Sequence, residues 1–360
     1  MSDVAEPIEG PLPDGALRNG APVVAPRLRR KRIRLTDGHQ VGIAVAGEGV
    51  PLVVVHGFSA EGFLYAQTLH RLVSMGFKVI AIDTAGHGGT RGLPASGHDL
   101  REYSVLLGRV IDELGIERCI LAGHSMGGRL VADLAAERPE RTIAVMLIDA
   151  IVGDTWDKMV YGFRVYPPLL AAMGAALVAD SLTILPFARD PRQAVKFLRL
   201  ALPTIVGDAV RPWRLLGPIV SILRSQSSRH SLQAVGDSGV PVYVLHGDRD
   251  WPVPMRTARD AARRAKGTLI TVQRGGHSWM LRDPETLPGI VAQLLETGMR
   301  DAIDAAARAA GIDGAELTAE QFDAAFYRPQ ALIHTLTPST AVGSVVGRHW
   351  RPVYRWTVSA

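Results

Sequence analysis

Short apolar runs alternate with segments of helical periodicity along most of this chain, and this alternation limits the folds that it can adopt. Several of the runs are rich in Val, Ile and Leu and lead into glycine: PLVVVHGF, KVIAIDTAGHG, RCILAGHSMGG and VPVYVLHGDRD. Strands that are apolar on both faces and alternate with helices form a parallel sheet that helices cover on both sides. The sequence therefore predicts an α/β fold with a mostly parallel, twisted sheet.

The alternation is interrupted once, between residues 153 and 237. This stretch is rich in Leu, Ala, Pro and Arg and has helical but no strand signals, so it predicts a helical cap inserted into a core of residues 26–152 and 238–298. Residues 1–25 hold several prolines and glycines without periodicity, which predicts a flexible arm. Residues 299–360 are predicted to form a C-terminal extension that docks on the core or on a partner subunit.

Composition narrows the class of protein. Hydrophobic residues make up 47% of the chain, which is too many for a disordered protein. The longest apolar stretch, from Tyr166 to Phe187, carries Asp180 and two early prolines, so we interpret it as buried or interfacial and not as membrane-spanning. A single cysteine, Cys119, excludes a disulfide framework, and the N-terminus lacks a secretory signal pattern. We therefore expect a cytoplasmic protein.

A basic cluster, PRLRRKRIRL, covers residues 26–35 and contributes to the net charge of +5. It lies in the first strand of a predicted hairpin that turns at Asp37-Gly38. Charge on an edge strand discourages edge-to-edge pairing, and this is our first interpretation. The alternative is a weak contact of residues 27–34 with an anionic membrane surface, which would make the protein peripheral to a membrane. We predict no nucleic-acid partner.

The sequence RCILAGHSMGGRLVADLAAE places Gly-x-Ser-x-Gly between an apolar strand and a helix. In this context the serine stands on a sharp turn at the carboxyl end of the strand. The N-terminus of the following helix then brings a positive dipole to the place where negative charge develops during attack on a carbonyl. Ser125 is therefore a candidate nucleophile, and the backbone N–H of Met126 is a candidate oxyanion donor.

A serine nucleophile needs a base, and the base needs a group that orients it. Asp250 comes just after the apolar strand VPVYVLHG, and His277 comes just after the next strand, TLITV. Because the carboxyl ends of parallel strands meet at one edge of the sheet, both side chains are expected near Ser125. Asp149, at the end of the strand AVMLID, and Asp248 remain alternative orienting acids.

Other histidines also lie near strand ends. His56, His87 and His124 each precede or adjoin the wrong element for a general base, so we interpret them as structural hydrogen-bonding groups. The chain has no H-E-x-x-H, no cysteine pair with metal-ligand spacing, no P-loop and no G-x-G-x-x-G opening a βαβ unit. We therefore predict neither a metal nor another cofactor.

Five motifs occur in a fixed order: HGF at 56–58, DTAGHG at 83–88, GHSMGG at 123–128, GDRDWPVP at 247–254 and GGHSW at 275–279. Over about residues 30–298 the chain thus resembles the α/β-hydrolase superfamily, as a serine esterase or lipase-like member with a cap. The resemblance implies that Ser125 is the nucleophile, His277 the general base and then acid, and Asp250 the group that orients it. It also implies that the second oxyanion donor is the backbone N–H of Phe58.

The leading hypothesis is a cofactor-free hydrolase that cleaves a carboxylic ester of a lipophilic small molecule or monoacyl lipid through an acyl-enzyme. The cap stretch LLAAMGAALVADSLTILPF offers apolar side chains for a substrate pocket, with Met173 and Leu177 as candidates. The alternative is that these side chains form only the core of the cap. The same three catalytic residues would also suit a carbon–carbon bond hydrolase or a cofactor-free peroxidase. A non-catalytic ligand-binding module is the third hypothesis.

Overall fold

A computed structural model describes residues 24–26, 28–58, 60–94, 99–183, 202, 206, 210, 212–314, 317–336, 343–345 and 352–359. The strands are β1 (Val24–Pro26), β2 (Arg29–Arg34), β3 (Gln40–Ala46), β4 (Val50–Val55), β5 (Phe77–Ile82), β6 (Cys119–His124), β7 (Thr142–Ile148), β8 (Val242–Gly247), β9 (Thr268–Val272), β10 (Gly343–Val345) and β11 (Trp356–Ser359).

Nine of these strands form one sheet in the order β11-β9-β8-β7-β6-β4-β5-β3-β2. The six central strands pair in parallel, and these are β9, β8, β7, β6, β4 and β5. Strands β2, β3 and β11 pair antiparallel with their neighbours. Strands β4 to β8 are buried at every position, as expected for strands that helices cover on both faces. The predicted α/β class with a mostly parallel sheet is confirmed.

The α-helices of the described residues are α1 (Ala66–Ser74), α2 (Leu100–Glu113), α3 (Met126–Glu137), α4 (Asp154–Val165), α5 (Pro167–Thr183), α6 (Leu216–Arg224), α7 (Arg229–Ser238), α8 (Met255–Arg264), α9 (Trp279–Arg282), α10 (Thr286–Leu294), α11 (Arg300–Ala309), α12 (Ala319–Phe326) and α13 (Leu332–Leu336). Short 3₁₀ helices cover Gly62–Tyr65, Pro139–Arg141 and Pro212–Leu215, and a π-helical turn covers Leu295–Met299. Helix α1 shows how sequence places a helix, because its buried residues recur at helical spacing and face the sheet.

The cap segment, residues 153–237, leaves the sheet after β7 and returns to it at β8. Its described part contains the helices α4 to α7 and no strand. Ligands in open α/β sheets bind at the carboxyl ends of the strands, and the segment leaves the sheet at the carboxyl end of β7. No helix in the described ranges combines the length and apolarity that crossing a bilayer requires.

The sheet extends past the predicted core boundary at residue 298. Strand β11 adds to its edge by pairing antiparallel with β9, and the Trp356 side chain is fully buried there. The indole N–H of Trp356 donates a hydrogen bond to Gln293 Oε1 over 2.6 Å. Strand β11 has only four residues, too few for the sequence to indicate which strand it pairs with. The C-terminal extension therefore supplies one strand of the core, in addition to helices that pack on it.

The end of the predicted N-terminal arm, residues 1–25, forms part of a strand in the structure. Strand β1 includes residues 24 and 25 of that arm and pairs antiparallel with β10, while residues 1–23 lie outside the described part. The basic cluster forms β2, an edge strand of the sheet, with exposed arginines at 29, 30, 32 and 34. This position fits the edge-protection interpretation of the cluster. The alternative membrane contact stays a prediction.

Candidate active site

Ser125 lies at a sharp turn between β6 and α3. Its backbone has φ 53° and ψ −116°, a conformation that a side-chain-bearing residue adopts only under strain. The backbone N–H of Ser125 donates to Ile148 O over 2.9 Å, which ties the turn to the neighbouring strand β7. Since α3 begins at the next residue, the positive end of its dipole lies beside the hydroxyl. The surrounding structure thus holds the serine at the carboxyl edge of the sheet.

The loop after β4 lies directly against this turn. A Cβ built on Gly57 would be 3.0 Å from Ser125 Cβ and 3.0 Å from His124 Nδ1, so a larger residue would push the loop away. Phe58 follows on this loop and, with Met126, lines the same cavity as Ser125. The structure therefore brings both predicted oxyanion residues beside the serine.

His277 follows β9, and Asp250 follows β8, as the order of motifs predicts. The ring N–H at Nδ1 of His277 donates to Asp250 Oδ2 over 2.7 Å. The second carboxylate oxygen, Oδ1, accepts from the backbone N–H of Val253, also over 2.7 Å. Both residues are buried, and His277 lines the same cavity as Ser125. The three residues predicted as a triad are thus assembled at one site.

Asp149, the alternative acid, takes a different partner. Its Oδ1 accepts from the backbone N–H of Gly247 over 2.9 Å, where it supports the end of β8. The same oxygen lies 3.7 Å from Nδ1 of His246, a different histidine. Asp248 is also elsewhere, because its Oδ1 accepts from the backbone N–H of Arg274. The geometry therefore favours Asp250 as the partner of His277.

Burial and charge divide the roles of these groups. Burial alone would lower the pKa of His277, but the charge and hydrogen bond of Asp250 outweigh it, and the pKa lies above that of an ordinary histidine. Burial would raise the pKa of Asp250, yet His277 holds it below the usual value. Burial, followed by the charge of Asp250, raises the pKa of Asp149 well above its usual range. The environment of Asp250 thus favours its ionised form, and burial at Asp149 favours the protonated form.

The remaining strand-end histidines hold backbone and loop groups. His56 Nδ1–H donates to Gly57 O over 2.7 Å, and its Nε2 accepts from the backbone N–H of Thr84 over 2.9 Å. Burial lowers the pKa of His56 to about 4 and that of His124 to about 3, so both rings are neutral at pH 7. The His124 ring Nε2–H donates to the backbone carbonyl of His277 over 2.9 Å. His124 therefore supports the backbone of the candidate base.

A cavity of about 180 Å³ opens above Ser125 and His277. Trp156 and Phe163 of α4 and Ile219 of α6 contribute to its wall. Met173 and Leu177, the predicted pocket residues, line it from α5. Most of the lining side chains are apolar, so the cavity favours an apolar group over a hydrogen-bonding one.

Two contacts of His277 were not predicted. One is the bond from His124, and the other joins the backbone N–H of His277 to Asp180 Oδ1 over 2.9 Å. The first had no sequence signal, because the histidine before the nucleophile gives no indication of its partner. The second had one, since Asp180 is the only charged residue in the sequence of α5. That signal identifies an unusual residue but not what it contacts.

One group of side chains has the composition of a metal site. Ligand atoms of Asp149, His246 and Asp250 lie within 4.8 Å of one another and are buried. Their polar atoms also serve the fold, because His246 Nε2–H donates to Val253 O over 2.8 Å and Asp250 holds His277. These hydrogen bonds account for the cluster as support of the candidate triad.

The chain is similar to known proteins of one family. A model of the alpha/beta hydrolase family matches residues 52–287. A protein of Mycobacterium phage D29, provisionally named a non-heme haloperoxidase, is 34% identical over 274 residues, which is 74% of this chain and 95% of that protein.

Solved structures agree with this assignment at the level of the fold. A bacterial membrane phospholipase A has a TM-score of 0.60 and 20% identity, covering 76% of this chain and 87% of its own. The esterase RhEst1 from Rhodococcus sp. ECU1013 has a TM-score of 0.57 and 21% identity, covering 74% of this chain and 98% of its own. Because the family model matches more than half of the chain and the phage protein is 34% identical over 274 residues, the chain belongs to the alpha/beta hydrolase family.

Proposed function

We propose that this protein is a serine hydrolase that cleaves carboxylic esters with an apolar acyl group. The observation that carries the proposal is the 2.7 Å bond between His277 and Asp250 in a site that also holds a strained Ser125. Because the Nδ1–H group donates a hydrogen bond to Asp250, the lone pair of the neutral ring is on Nε2. That nitrogen is then the one available to take the serine proton.

In the first half of the reaction, Ser125 Oγ attacks the ester carbonyl carbon and its proton passes to His277 Nε2. The negative charge that develops on the carbonyl oxygen is stabilised by the backbone N–H groups of Phe58 and Met126 and by the N-terminus of α3. Asp250 stabilises the charged imidazolium without taking its proton. His277 then protonates the departing alcohol, and the acyl group stays on Ser125.

In the second half, water attacks the acyl carbon while His277 accepts its proton. Collapse of the second tetrahedral intermediate breaks the bond to Ser125 Oγ, to which His277 returns the proton. The products are a carboxylic acid and the free enzyme. The strained backbone of Ser125 supports this role, because strain at a site that the surrounding structure over-determines points to function.

The apolar cavity supports the choice of substrate. A lining of Met173, Leu177 and their apolar neighbours rewards the burial of methylene groups, and its described residues offer few hydrogen-bonding groups for a sugar or peptide. The structures with a similar fold include an esterase and a phospholipase, whose names fit such a substrate. At under 25% identity, what these structures share with the chain is the fold.

The haloperoxidase name of the phage relative supports a second candidate reaction on the same residues. In it, hydrogen peroxide replaces water in the second half-reaction, and His277 takes a peroxide proton as the peroxide oxygen attacks the acyl carbon. The products are a peracid and free Ser125. The peracid, released from the site, would then oxidise a halide. No metal or haem is needed for this chemistry.

The test compares the two reactions in one preparation. Purified protein is assayed against a panel of p-nitrophenyl and glycerol esters, and separately with acetate, hydrogen peroxide and bromide. The proposal predicts ester hydrolysis that Ser125→Ala abolishes, with peracid formation slower than hydrolysis. Faster peracid formation that also depends on Ser125 would make perhydrolysis the main reaction. Activity of neither kind, with the fold intact, would leave a ligand-binding module and would overturn the proposal.

A further inference from the structure

A helix of the cap segment reaches the candidate catalytic histidine through one carboxylate. Asp180 Oδ1 accepts a hydrogen bond from the backbone N–H of His277 over 2.9 Å. The sequence of α5, PPLLAAMGAALVADSLT, is otherwise uncharged and almost entirely apolar. Asp180 is half-buried, and burying a carboxylate costs free energy unless a partner compensates it. The contact with His277 supplies a reason for this residue.

Asp180 lies on the face of α5 that lines the cavity. Residues 170, 173, 177 and 180 are less exposed than most of their neighbours and follow the 3,4,3 spacing of one helix face. Three of them, Leu170, Met173 and Leu177, line the cavity above Ser125. The same seating of α5 that closes the cavity therefore brings Asp180 to His277.

Three polar groups of His277, its ring Nδ1–H and its two backbone groups, have partners among the described residues. Asp250 accepts from its ring Nδ1–H, and His124 donates to its backbone carbonyl. These two partners lie at the ends of the core strands β8 and β6. The partner of the backbone N–H, Asp180, is instead on the cap segment. One of the three restraints on the histidine thus depends on where the cap helix sits.

The loop before the histidine leaves space for this carboxylate. A Cβ built on Gly276 would lie 2.5 Å from Asp180 Oδ1. Apart from the chain neighbours of Gly276, Asp180 is the only described residue with an atom within 4 Å of that Cβ. A methyl group at position 276 would therefore displace the carboxylate without contacting a second described residue outside its chain neighbours.

Building on the function proposed above, we propose that Asp180 is a positioning residue that couples the seating of cap helix α5 to the orientation of the catalytic His277. The bond is made when α5 covers the cavity, so the base is fully oriented only when the substrate chamber is closed. Asp180 acts through the histidine backbone and does not touch the reacting atoms. Its removal should slow the chemical step more than it weakens substrate binding.

The negative charge of Asp180 gives a second way to detect this role, through the pKa of His277. Burial lowers the pKa of His277, and the carboxyl groups of Asp250, Asp149 and Asp180 raise it to a higher net value. The two histidine rings nearby, His124 and His246, have lowered pKa values because of burial and are neutral at pH 7. Removing the charge of Asp180 should therefore lower the pKa of His277, whereas a purely structural loss elsewhere in the cap should leave it unchanged.

The test compares two variants at position 180. Asp180→Asn keeps an acceptor oxygen and loses the charge, so kcat at high pH should stay within about twofold while the acid limb moves down by roughly half a pH unit. Asp180→Ala loses both, so kcat for p-nitrophenyl acetate should also fall about tenfold with little change in KM. The matched control is Asp157→Ala. Asp157 is a cap acid whose Oδ2 accepts from the backbone N–H of Ser228 over 3.1 Å, and this variant should change neither quantity.

A double-mutant cycle tests the contact itself. Gly276→Ala should reproduce the kcat loss of Asp180→Ala, because the new methyl group displaces the carboxylate. In the Asp180→Ala background the same change should cost at most about twofold, since its only neighbour is gone. Equal losses in both backgrounds would show that Gly276 acts independently of Asp180 and would overturn the proposal. If Asp180→Ala does not fold, Asp180→Asn and Gly276→Ala still carry the test.

A titration by NMR separates this proposal from the proposed function. The ring pKa of His277 is followed in ¹³C-histidine-labelled wild type, Asp180→Asn and Asp157→Ala, with no substrate present. A lower pKa in Asp180→Asn alone supports the coupling, even if every ester assay fails. An unchanged pKa, or equal shifts in both variants, would refute it even if the protein proves to be an esterase.

Discussion

The volume of the cavity predicts how activity depends on acyl chain length. If each chain carbon takes about the 30 Å³ that a water molecule occupies, the cavity of about 180 Å³ holds roughly six carbons. Each buried methylene contributes about 0.8 kcal/mol, which is close to fourfold in kcat/KM. From acetate to hexanoate the expected increase is therefore roughly 200-fold. Longer chains should gain nothing further or lose activity.

The assay measures kcat/KM for p-nitrophenyl esters from acetate to dodecanoate at concentrations below micelle formation. The perturbation is Met173→Asp or Leu177→Asp, each of which puts a charge on the wall of the cavity. Because burying a methylene beside a charge yields less free energy, the slope with chain length should flatten while acetate hydrolysis stays within a few-fold. The matched controls, Met173→Leu and Leu177→Met, keep volume and polarity and should keep the slope.

Two results would refute this reasoning. Acetate remaining the best substrate throughout the series would mean that the cavity does not bind the acyl chain. Equal loss of all substrates in the aspartate variants, with unchanged circular dichroism and thermal midpoint, would mean that Met173 and Leu177 form only the core of the cap. Either result would remove the apolar substrate class and leave the serine chemistry to be tested separately.

Four further predictions concern the catalytic groups and the fold. Alanine at Ser125 or at His277 should each lower kcat by about 10⁴-fold and the double variant by little more; additive losses in steady-state assays would contradict their action as a unit. Asp250→Asn should also lower kcat by about 10⁴-fold, whereas Asp149→Asn should change it little, and the reverse pattern would exchange their roles. Because only neutral His277 accepts the serine proton and its pKa is raised, kcat/KM should be lost as pH falls through a midpoint above about 6.5; a midpoint below that value would contradict the charge balance. Trp356→Ala should lower the free energy of unfolding by about 3–5 kcal/mol in a denaturant titration, and a loss under about 1 kcal/mol would mean that β11 contributes little to the core.

Local patterns were enough to predict the elements that carry the candidate triad. Ser125, Asp250 and His277 each follow an apolar strand, and parallel strands bring their carboxyl ends to one edge. The turn at Asp37-Gly38 was predictable from the two residues themselves, because glycine readily adopts the positive φ that such a hairpin turn requires. Gly38 has a φ of 83°. Signals of this kind depend on a few adjacent residues and on the parallel topology.

Contacts between distant segments could not be predicted. The bond between Asp180 and His277 joins residues 97 positions apart, and the sequence shows only that one carboxylate interrupts an apolar helix. The pairing of β11 with β9 is similar, because a strand of four residues shows no periodicity that would place it at the sheet edge. Such contacts depend on how distant segments pack against each other, and local sequence patterns do not indicate this packing.

We propose that Ser125 is a nucleophile activated by His277 and held in place by its strained turn. Mass spectrometry of the full chain after reaction with a fluorophosphonate detects such a nucleophile, because the reagent phosphonylates an activated serine much faster than an ordinary hydroxyl group. We expect one adduct per chain on the peptide that carries Ser125, its absence in Ser125→Ala, and slower formation in His277→Ala. Absence of an adduct in the folded wild type, or an adduct on another residue that forms equally well in Ser125→Ala, would contradict this proposal.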